Sequence, residues 1–452
     1  MYHSLLKPDL REMLTEQDVR GMAEFCDVLH PAVTAEVLEG FEIAELLQVL
    51  DSCPLLKQVE ILEYLPLAVQ VSIVESLDQT DRKRLSRLLE EMSSDDRVDL
   101  LSELSEAQVE RLLPLIAQAE RNDIRKLLSF PEESAGSVMT TEYASLPESI
   151  PVREAIERLR KQAPNRETIY YVYVIDEQRH LLGLVSLRDI ILASPHALVS
   201  DIMTRDAISV RVDDDQEDVA SLLQKFNFIA IPVVDEQNRL VGIVTHDDAM
   251  DILEEEATED AHLAGAVAPL EESYLETSLL TVFRKRGGWL AVLSITAVLI
   301  AAILQRLQYI SDLYVWMIGF MPLVLSAGGN AGSQSATLVI RMLAVEDSTR
   351  HVAVRIAYRE LIMGLMLGCF LAAIGLTFAW WFEGVRVGMV IALTMTLVVV
   401  NGTVWGAMLP LLFRKMGMDP AMMSNPLIAA ISDMMGVLIY FAVALSMLGG
   451  TS

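Results

Sequence analysis

Five long apolar runs dominate the last third of the sequence. They cover Trp289–Leu307, Tyr314–Leu343, Leu361–Phe382, Val387–Phe413 and Pro426–Leu448. Each reaches the ~20 residues that a helix needs to cross the hydrocarbon core of a bilayer. Because backbone polar groups find no water in that core, a spanning segment must satisfy its own hydrogen bonds, as a helix does. The pattern predicts a transmembrane domain of five helices over residues 287–452.

Charge divides the chain at the start of this apolar region. The whole sequence has a net charge of −28, yet from Arg284 onward seven Asp and Glu stand against eleven Lys and Arg. The first 283 residues therefore hold 56 acids and 24 bases (63 less 7, and 35 less 11). A soluble part this acidic would be repelled by a nucleic-acid backbone. Its charge suits either plain solubility or the collection of cations.

Cationic residues also predict the orientation of the spans. They cluster before the first span, between the second and third, and between the fourth and fifth, on the same side as the soluble part. By the positive-inside rule that side is the cytosol, which leaves the C-terminus outside. The N-terminus has no apolar stretch typical of a cleaved signal peptide. Cys26, Cys53 and Cys369 are scattered, suggest no disulfide framework or zinc site, and favour a reducing compartment.

Residues 1–133 show the periodicity of short amphipathic helices. Apolar residues recur at spacings of three and four, as in Val37, Leu38 and Phe41, and prolines and cap-like residues separate the runs. The loosely repeated unit predicts helical hairpins stacked in a superhelix.

Residues 134–197 and 198–256 are two copies of one unit. VIDEQRHLLGLVSLRD in the first parallels VVDEQNRLVGIVTHDD in the second, and each copy reads strand, helix, strand, strand, helix. The duplication resembles a pair of CBS domains. That resemblance implies that the hydroxyl and carboxylate groups of Ser186, Asp189, Thr245 and Asp248 can hold the phosphate and ribose of an adenine nucleotide. The alternative is that these residues only cap the helix that follows.

Residues 246–260 form an acidic hinge before an expected linker and plug helix over 257–286. Asp248, Asp251, Glu255 and Glu259 fall on one helix face, and no Lys or Arg lies between Arg239 and Arg284. Like charges at this spacing repel. Clusters rich in oxygen and free of nitrogen and sulfur suit hard cations such as Mg²⁺ or Ca²⁺. A solvated acidic linker is the alternative.

The second and fifth runs carry polar residues that lipid contact does not explain. The second contains AGGNAGSQSATLVIR, including Asn330 and Gln334, and the fifth contains Asp433. Small residues permit close helix packing, but packing alone does not call for the two amides. A carboxylate near mid-membrane costs several kcal/mol and is a functional-site hypothesis by default. Asn425, Ala429 and Asp433 are four apart and share one helix face.

The whole chain resembles the MgtE family of Mg²⁺ channels and transporters. The residues that carry the resemblance are FPEESAGSVMTTEY (Phe130–Tyr143), EEEATED (Glu254–Asp260), AGGNAGSQSATLVIR (Ala327–Arg341) and DPAMMSNPLIAAISDMMGVLIY (Asp419–Tyr440). The resemblance implies a homodimer of the bacterial inner membrane, with a pore between spans 2 and 5 of the two subunits. Mg²⁺ would bind at Asp433, with Asn425 and the backbone of Ala429 nearby, and Asn330 is a further candidate.

The same resemblance implies a second, regulatory set of cation ligands. Cytosolic Mg²⁺ would bind between the helical domain, the CBS pair and the plug helix at about 264–284, and close the pore. The residues matching the sensor acids of the family are Glu217, Asp248, Asp251, Glu256, Glu259 and Asp419. Asn227 stands where the family can have an acid, which weakens the expectation of a cation site there.

The sequence thus predicts a Mg²⁺-selective channel closed by cytosolic Mg²⁺, with Mg²⁺ as the ion and ATP as a candidate modulator. The alternative is a membrane-anchored sensor of cations or nucleotides that conducts nothing. No nucleophile–base pair or phosphate-binding loop indicates an enzyme. Selectivity over Mn²⁺, Co²⁺ or Ca²⁺ does not follow from the residues.

Overall fold

The structure, a computed structural model, describes residues 3–270, 274–275, 277–345, 350–416, 418–422 and 425–448. The chain divides into two units, Met1–Leu253 and Glu254–Ser452.

Ten short helices build the first part of the N-terminal unit. They are α1 (His3–Glu16), α2 (Val19–Val28), α3 (Pro31–Leu38), α4 (Ile43–Asp51), α5 (Leu55–Glu63), α6 (Leu67–Thr80), α7 (Arg82–Glu91), α8 (Ser94–Ser102), α9 (Glu106–Leu112) and α10 (Gln118–Leu127). Caps such as Asp81, whose carboxylate accepts the Arg84 backbone N–H at 3.1 Å, start several of them.

The stacking of these helices follows a regular rule. α3 packs on α5 and α5 on α7, while α4 packs on α6 and α6 on α8. Along most of this stretch a helix thus contacts the one two places further along the chain, and the buried apolar residues form one continuous core. This arrangement confirms the predicted helical superhelix.

The repeated unit folds twice in the predicted order. The first copy contains β1 (Tyr143–Leu146), α11 (Val152–Gln162), β2 (Thr168–Ile175), β3 (Leu181–Ser186) and α12 (Leu187–Leu192). After α13 (Val199–Ile202), the second contains β4 (Val210–Arg211), α14 (Gln216–Phe226), β5 (Ala230–Val234), β6 (Leu240–Thr245) and α15 (His246–Ala264).

The two copies share their strand pairing. Each sheet has a parallel pair followed by an antiparallel pair. Val174 lies opposite Gly183 in the first copy, and Val233 lies opposite Gly242 in the second. The matching register confirms the duplication seen in the sequence.

The connector into the C-terminal unit differs from the prediction. α15 continues through the expected domain boundary at residue 256 and ends at Ala264. Its end is a Schellman turn: Ala266 adopts φ 59°, and the Val267 N–H donates to the His262 carbonyl at 2.9 Å. The described residues between 265 and 278 form no helix. The described residues of the segment expected as a separate plug helix are thus non-helical as far as Ser278, and residues 279–284 begin the next long helix.

The C-terminal unit contains that helix, α16 (Leu279–Arg306), followed by α17 (Gln308–Leu313), α18 (Trp316–Val345), α19 (Arg350–Glu383), α20 (Val385–Lys415) and α21 (Asn425–Leu448). α18 packs against α20 and α21, and α19 packs against α20. Among the described residues, four helices are long and apolar enough to cross a membrane, namely α16, α19, α20 and α21. The predicted span Tyr314–Leu343 corresponds to α18, whose polar residues lower its hydropathy, so a count of five spans stays a prediction.

Candidate functional site

Asp433 lies at a close contact between α18 and α21. It is half-buried on α21. Across from it is Gly329 of α18, where an added Cβ would lie 3.3 Å from Asp433 Oδ1 and 3.5 Å from Ala429 Cβ. Glycine at this position therefore lets α18 approach the face of α21 that carries Ala429 and Asp433. The structure brings these two predicted residues together beside the polar run of α18.

Asn425, at the start of α21, is hydrogen-bonded to α18. The Ser333 hydroxyl donates to the Asn425 carbonyl at 3.1 Å, and the Thr337 hydroxyl donates to Asn425 Oδ1 at 3.2 Å. The second bond orients the side-chain oxygen, which is a suitable ligand for a hard cation. Asn425, Ala429 and Asp433 thus form one line along α21 that faces α18.

Asn330 has a different position. Its side chain is exposed, and its amide nitrogen donates to Ser326 Oγ on its own helix at 3.1 Å. It follows Gly329 directly, so it points about 100° further around α18 than the face that meets α21. Within the described residues, the structure does not bring Asn330 into the group formed by Asn425, Ala429 and Asp433.

α20 supports α18 from behind through backbone-to-backbone contact. A Cβ on Gly402 would overlap the carbonyl oxygen of Gly328, and a Cβ on Gly406 would overlap that of Gly332. The spacing of four residues on both helices repeats the contact one turn later. Small residues at such a crossing allow helices to pack at backbone distance.

Glu360 is a carboxylate at this helix contact that the sequence analysis did not single out. The Ser335 hydroxyl lies 2.7 Å from Glu360 Oε2 and 2.9 Å from the Thr403 carbonyl oxygen, and Ser335 is 3% exposed. The Thr403 hydroxyl in turn donates to the Glu360 carbonyl at 3.2 Å. These bonds join α18, α19 and α20. In the sequence, the signal for this contact was the presence of Ser335 in a polar run. That signal did not indicate Glu360 as the partner.

A second group of carboxylates lies within the N-terminal unit. Its members come from four separate segments and are Glu63, Asp95, Asp96, Glu167, Asp247, Asp248 and Asp251, here called the acid cluster. Glu63 and Glu167 also line a cavity of about 960 Å³. Asp248 and Asp251 were predicted as ligands, and Asp247 belongs to the same acidic stretch. Glu63, Asp95, Asp96 and Glu167 are distant from that stretch in sequence, and no local spacing could have joined them to it.

Burial sets the electrostatics of the acid cluster. Burial first, and neighbouring carboxylates second, raise the pKa of Glu167 to about 8. Burial, chiefly, raises the pKa of Asp248 to about 7, and Asp95 adds to the rise. Burial, with Asp96 next, raises the pKa of Glu63 to about 7. Buried like charges disfavour ionisation, and a cation placed among them would favour it.

Hydrogen bonds offset part of the cost of ionising these buried carboxylates. The Ser93 backbone N–H donates to Glu63 at 3.1 Å, and the Ser93 hydroxyl donates to Asp96 at 2.7 Å. Burial raises the pKa of Asp95, and its Oδ1 atom is buried without a hydrogen-bond partner among the described residues. The described residues contain no group of three His, Cys, Asp or Glu side chains set close enough to hold a bare metal ion. A cation held among these carboxylates through its water shell, as Mg²⁺ is often bound, would favour their ionised form.

The remaining predicted regulatory acids lie elsewhere. Glu217 is on the first turn of α14, and its backbone N–H donates to Asp215 at 2.9 Å. Glu256 and Glu259 are half-buried on α15. Asp419 lies near Asp260, where burial and then the Asp419 charge raise the Asp260 pKa. Asn227 caps the end of α14 in the left-handed region at φ 53°, a backbone role that Asn fills well.

The two candidate nucleotide positions have opposite surroundings. In both copies the hydroxyl donates to the carboxylate three residues on. In the first copy the Ser186 hydroxyl also accepts the Asp189 backbone N–H at 3.1 Å, which is the capping role. In the first copy Asp189 is exposed, and Tyr171 lies opposite Ser186 in the strand register and meets Phe228 edge-on. In the second copy Asp248 belongs to the acid cluster, whose charge would repel phosphate. Of the two copies, only the first offers a hydroxyl, an exposed carboxylate and aromatic rings together.

Comparison with protein-family models matches three parts of the chain. A model described as a divalent cation transporter (MgtE) matches residues 321–443, and one described as the MgtE intracellular N domain matches residues 29–133. The CBS domain model matches residues 135–196 and 199–255.

Curated relatives and solved structures agree with these matches. A magnesium transporter MgtE of Thermus thermophilus is 41% identical over 75% of this chain and 75% of its own length. One of Enterococcus faecalis is 37% identical over 72% of this chain and 71% of its own. The crystal structure of the cytosolic domain of the Mg²⁺ channel MgtE in complex with ATP is 38% identical, with a TM-score of 0.52, over 55% of this chain and 100% of that one.

Proposed function

The chain belongs to the MgtE family of divalent cation transporters, and from this premise we propose that Asp433 is the ligand at which it passes Mg²⁺ across the membrane. The observation that carries the proposal is the half-buried carboxylate of Asp433, held against the polar run of α18 at Gly329. An apolar anchor needs neither feature, since a carboxylate at that depth is costly.

The pathway is proposed to bind Mg²⁺ with most of its water shell. Mg²⁺ loses water reluctantly and is held by one or two carboxylates with additional oxygens. Asp433 supplies the charge, and the carbonyl of Ala429 and the side-chain oxygen of Asn425 supply neutral ligands one and two turns away. A homodimer would place two Asp433 carboxylates around one ion. The N-terminal unit would be cytosolic and the C-terminus outside, as the cationic residues indicate.

Replacement of Asp433 tests this proposal directly. We expect Asp433→Asn to abolish Mg²⁺ flux into liposomes while membrane insertion and dimer formation persist. Asp312→Asn removes the same charge from an exposed residue of α17 and is expected to leave flux unchanged. Normal flux through Asp433→Asn would refute the assignment. A wild-type protein that conducts no Mg²⁺ at all would instead favour the non-conducting sensor.

Regulation by cytosolic Mg²⁺ is the second part of the proposal. Ionised carboxylates of the acid cluster repel one another, so Mg²⁺ would stabilise the state in which they are closest. A ligand shifts such an equilibrium by its difference in affinity for the two states. Asp248 and Asp251 would act within the acid cluster, with Glu217, Glu256, Glu259 and Asp419 as further ligands. ATP would act as a modulator bound at Ser186 and Asp189, beside Tyr171 and Phe228.

Neutralising three of these acids tests the regulatory part. We expect Asp248→Asn, Asp251→Asn and Glu259→Gln together to leave a channel that still conducts at millimolar cytosolic Mg²⁺. The matched control neutralises Glu12, Glu16 and Glu24, which are exposed residues of the first two helices, and should close like the wild type. Closure of the triple variant at the wild-type Mg²⁺ concentration would contradict a sensing role for these residues.

A further inference from the structure

Glu360 of α19 is a carboxylate that directly precedes the apolar run Leu361–Phe382. It is half-buried, and none of the ion pairs among the described residues includes it. A carboxylate in such a place needs hydrogen bonds to replace the water that it loses. The groups that supply these bonds therefore indicate what Glu360 does.

The hydrogen bonds around Glu360 form a closed ring through three helices. The Ser335 hydroxyl of α18 lies 2.7 Å from Glu360 Oε2 and 2.9 Å from the carbonyl oxygen of Thr403 on α20. The Thr403 hydroxyl donates to the Glu360 carbonyl at 3.2 Å. Both Ser335 and Thr403 are buried, so water does not compete for these bonds. The ring therefore fixes the height and the rotation of α18 against α19 and α20.

The opposite face of α18 holds the start of α21. Ser333 and Thr337, each two residues from Ser335, donate to the carbonyl and the side-chain oxygen of Asn425 at 3.1 Å and 3.2 Å. Two residues along an α-helix turn about 200° around its axis, so Ser333 and Thr337 lie on the face opposite to Ser335. A rotation of α18 that lengthens the bond to Glu360 therefore also moves the hydroxyl that orients Asn425 Oδ1.

We propose that Glu360 is a positioning residue for Mg²⁺ transport, which holds the rotation of α18 through Ser335 and so keeps Asn425 Oδ1 at the ion pathway. Glu360 itself contacts no ion. It contributes an acceptor oxygen at the required distance, and its charge is not what the ion senses. The part of this inference that runs through Asn425 rests on the proposed function, in which Asn425 is a ligand.

Mg²⁺ flux into liposomes, measured on the full chain at varied Mg²⁺, separates positioning from folding. Fewer folded channels lower the maximal rate alone, whereas a displaced ligand raises the half-saturating Mg²⁺ concentration. We expect Glu360→Ala to raise that concentration several-fold, because an orienting hydrogen bond is lost. Glu360→Gln keeps an acceptor oxygen and should stay near the wild-type value. Glu383→Ala, at the exposed far end of the same helix, is the control and should leave the value unchanged.

Further variants test the route through Ser335 and Asn425. Ser335→Ala should raise the half-saturating concentration as Glu360→Ala does, and the double variant should do no more than either alone, because both remove the same bond. In an Asn425→Ala background, Glu360→Ala should have no further effect. Ser335→Ala adds no bulk at the helix contact, so it provides the same test if Glu360→Ala does not fold.

Three results would count against the proposal. An unchanged half-saturating concentration in folded Glu360→Ala or Ser335→Ala overturns it. Equal losses in Glu360→Gln and Glu360→Ala overturn it as well, since they would assign the effect to the charge. A full effect of Glu360→Ala in the Asn425→Ala background overturns the route through Asn425. The proposed pathway itself fails on a different result, normal flux through Asp433→Asn, which does not involve Glu360.

Discussion

At the scale of single residues, the position of Asp433 depends on a residue that carries no side chain. Gly329 is the part of α18 that faces Asp433 and Ala429, and the space for a Cβ there is tight. Ser432, next to Asp433, is 1% exposed and lies where α18 passes at Gly332. The carboxylate is therefore held by the approach of backbones and not by a charged partner among the described residues. Its environment can be changed by one methyl group.

Gly329→Ala is predicted to reduce Mg²⁺ flux several-fold without unfolding the protein. The added methyl group would lie 3.3 Å from Asp433 Oδ1, so α18 or the carboxylate must shift by a few tenths of an ångström. Overpacking of this kind costs about 1 kcal/mol or more. Liposome flux is the measurement. The control is Gly319→Ala on the same helix, where a Cβ would meet nothing within 4 Å. Equal flux in the two variants would show that the contact at Gly329 does not constrain the pathway.

At the scale of helices, α18 is held through paired glycines and a polar network. Gly402 and Gly406 of α20 receive the carbonyls of α18, and Ser335 joins α18 to α19 and α20. The glycines and the polar network meet two different requirements of a membrane helix. Glycines allow the close contact that dispersion needs, and the hydroxyl and carboxylate satisfy polar groups that lipid cannot.

Gly402→Ala is predicted to destabilise the C-terminal unit strongly, because its Cβ would overlap the Gly328 carbonyl, a backbone atom that cannot rotate away. The expected loss exceeds about 2 kcal/mol, and the measurement is thermal unfolding in detergent with the yield of folded protein. Gly287→Ala in α16 is the control, since nothing lies within 4 Å of its Cβ. There the better helix propensity of Ala should be neutral or stabilising by up to ~1 kcal/mol. The prediction fails if both variants melt alike.

At the scale of the whole molecule, the N-terminal unit keeps a group of carboxylates buried close together. Glu63, Glu167 and Asp248 have pKa values raised to about 7, about 8 and about 7. Unfolded, such groups ionise near pH 4. Between those values the folded protein holds protons that the unfolded chain has released. At neutral pH and above, ionising these carboxylates therefore lowers the free energy of unfolding of the protein without bound Mg²⁺.

The sign of the pH dependence follows. Below about pH 4 both states are protonated and these acids contribute nothing; as pH rises toward about 8 the folded state is progressively disfavoured. We predict that, without Mg²⁺, the free energy of unfolding of the N-terminal unit falls from about pH 5 to about pH 8. Millimolar Mg²⁺ should restore more stability at the higher pH. Hydrogen exchange on the full chain measures both effects.

The matched variant for this prediction is Glu167→Gln, which removes the titration of a cluster acid whose pKa is raised to about 8. Its unfolding free energy should depend less on pH than that of the wild type. Glu154→Gln, at an exposed residue of α11, should keep the wild-type slope. A wild-type slope that is flat or of opposite sign would show that these carboxylates are ionised in the folded protein.

Local sequence determined most of the architecture. Periodicity and caps gave the stacked helices of residues 1–133, duplication gave the CBS pair, and hydropathy gave four of the expected spans, because each depends on neighbouring residues. α18 was also located, although its polar run keeps its hydropathy below that of a plain span. The connector after Ala264 was misjudged, because a Schellman turn at Ala266, a residue that rarely adopts positive φ, carries no compositional signal.

The site residues also divide into those that local sequence indicates and those that only the fold brings together. The sequence by itself singled out Asp433, Asn425 on the same helix face by its spacing, and the acidic stretch after Thr245. A charge in an apolar run, a spacing of four, and a run of acids without Lys or Arg are all visible without a fold. Only the tertiary structure joined Asp248 to Asp95 and Glu167, and Ser335 to Glu360. Burial, and with it pKa and reactivity, is a property of what packs around a group, and those neighbours come from segments that sequence spacing leaves unrelated.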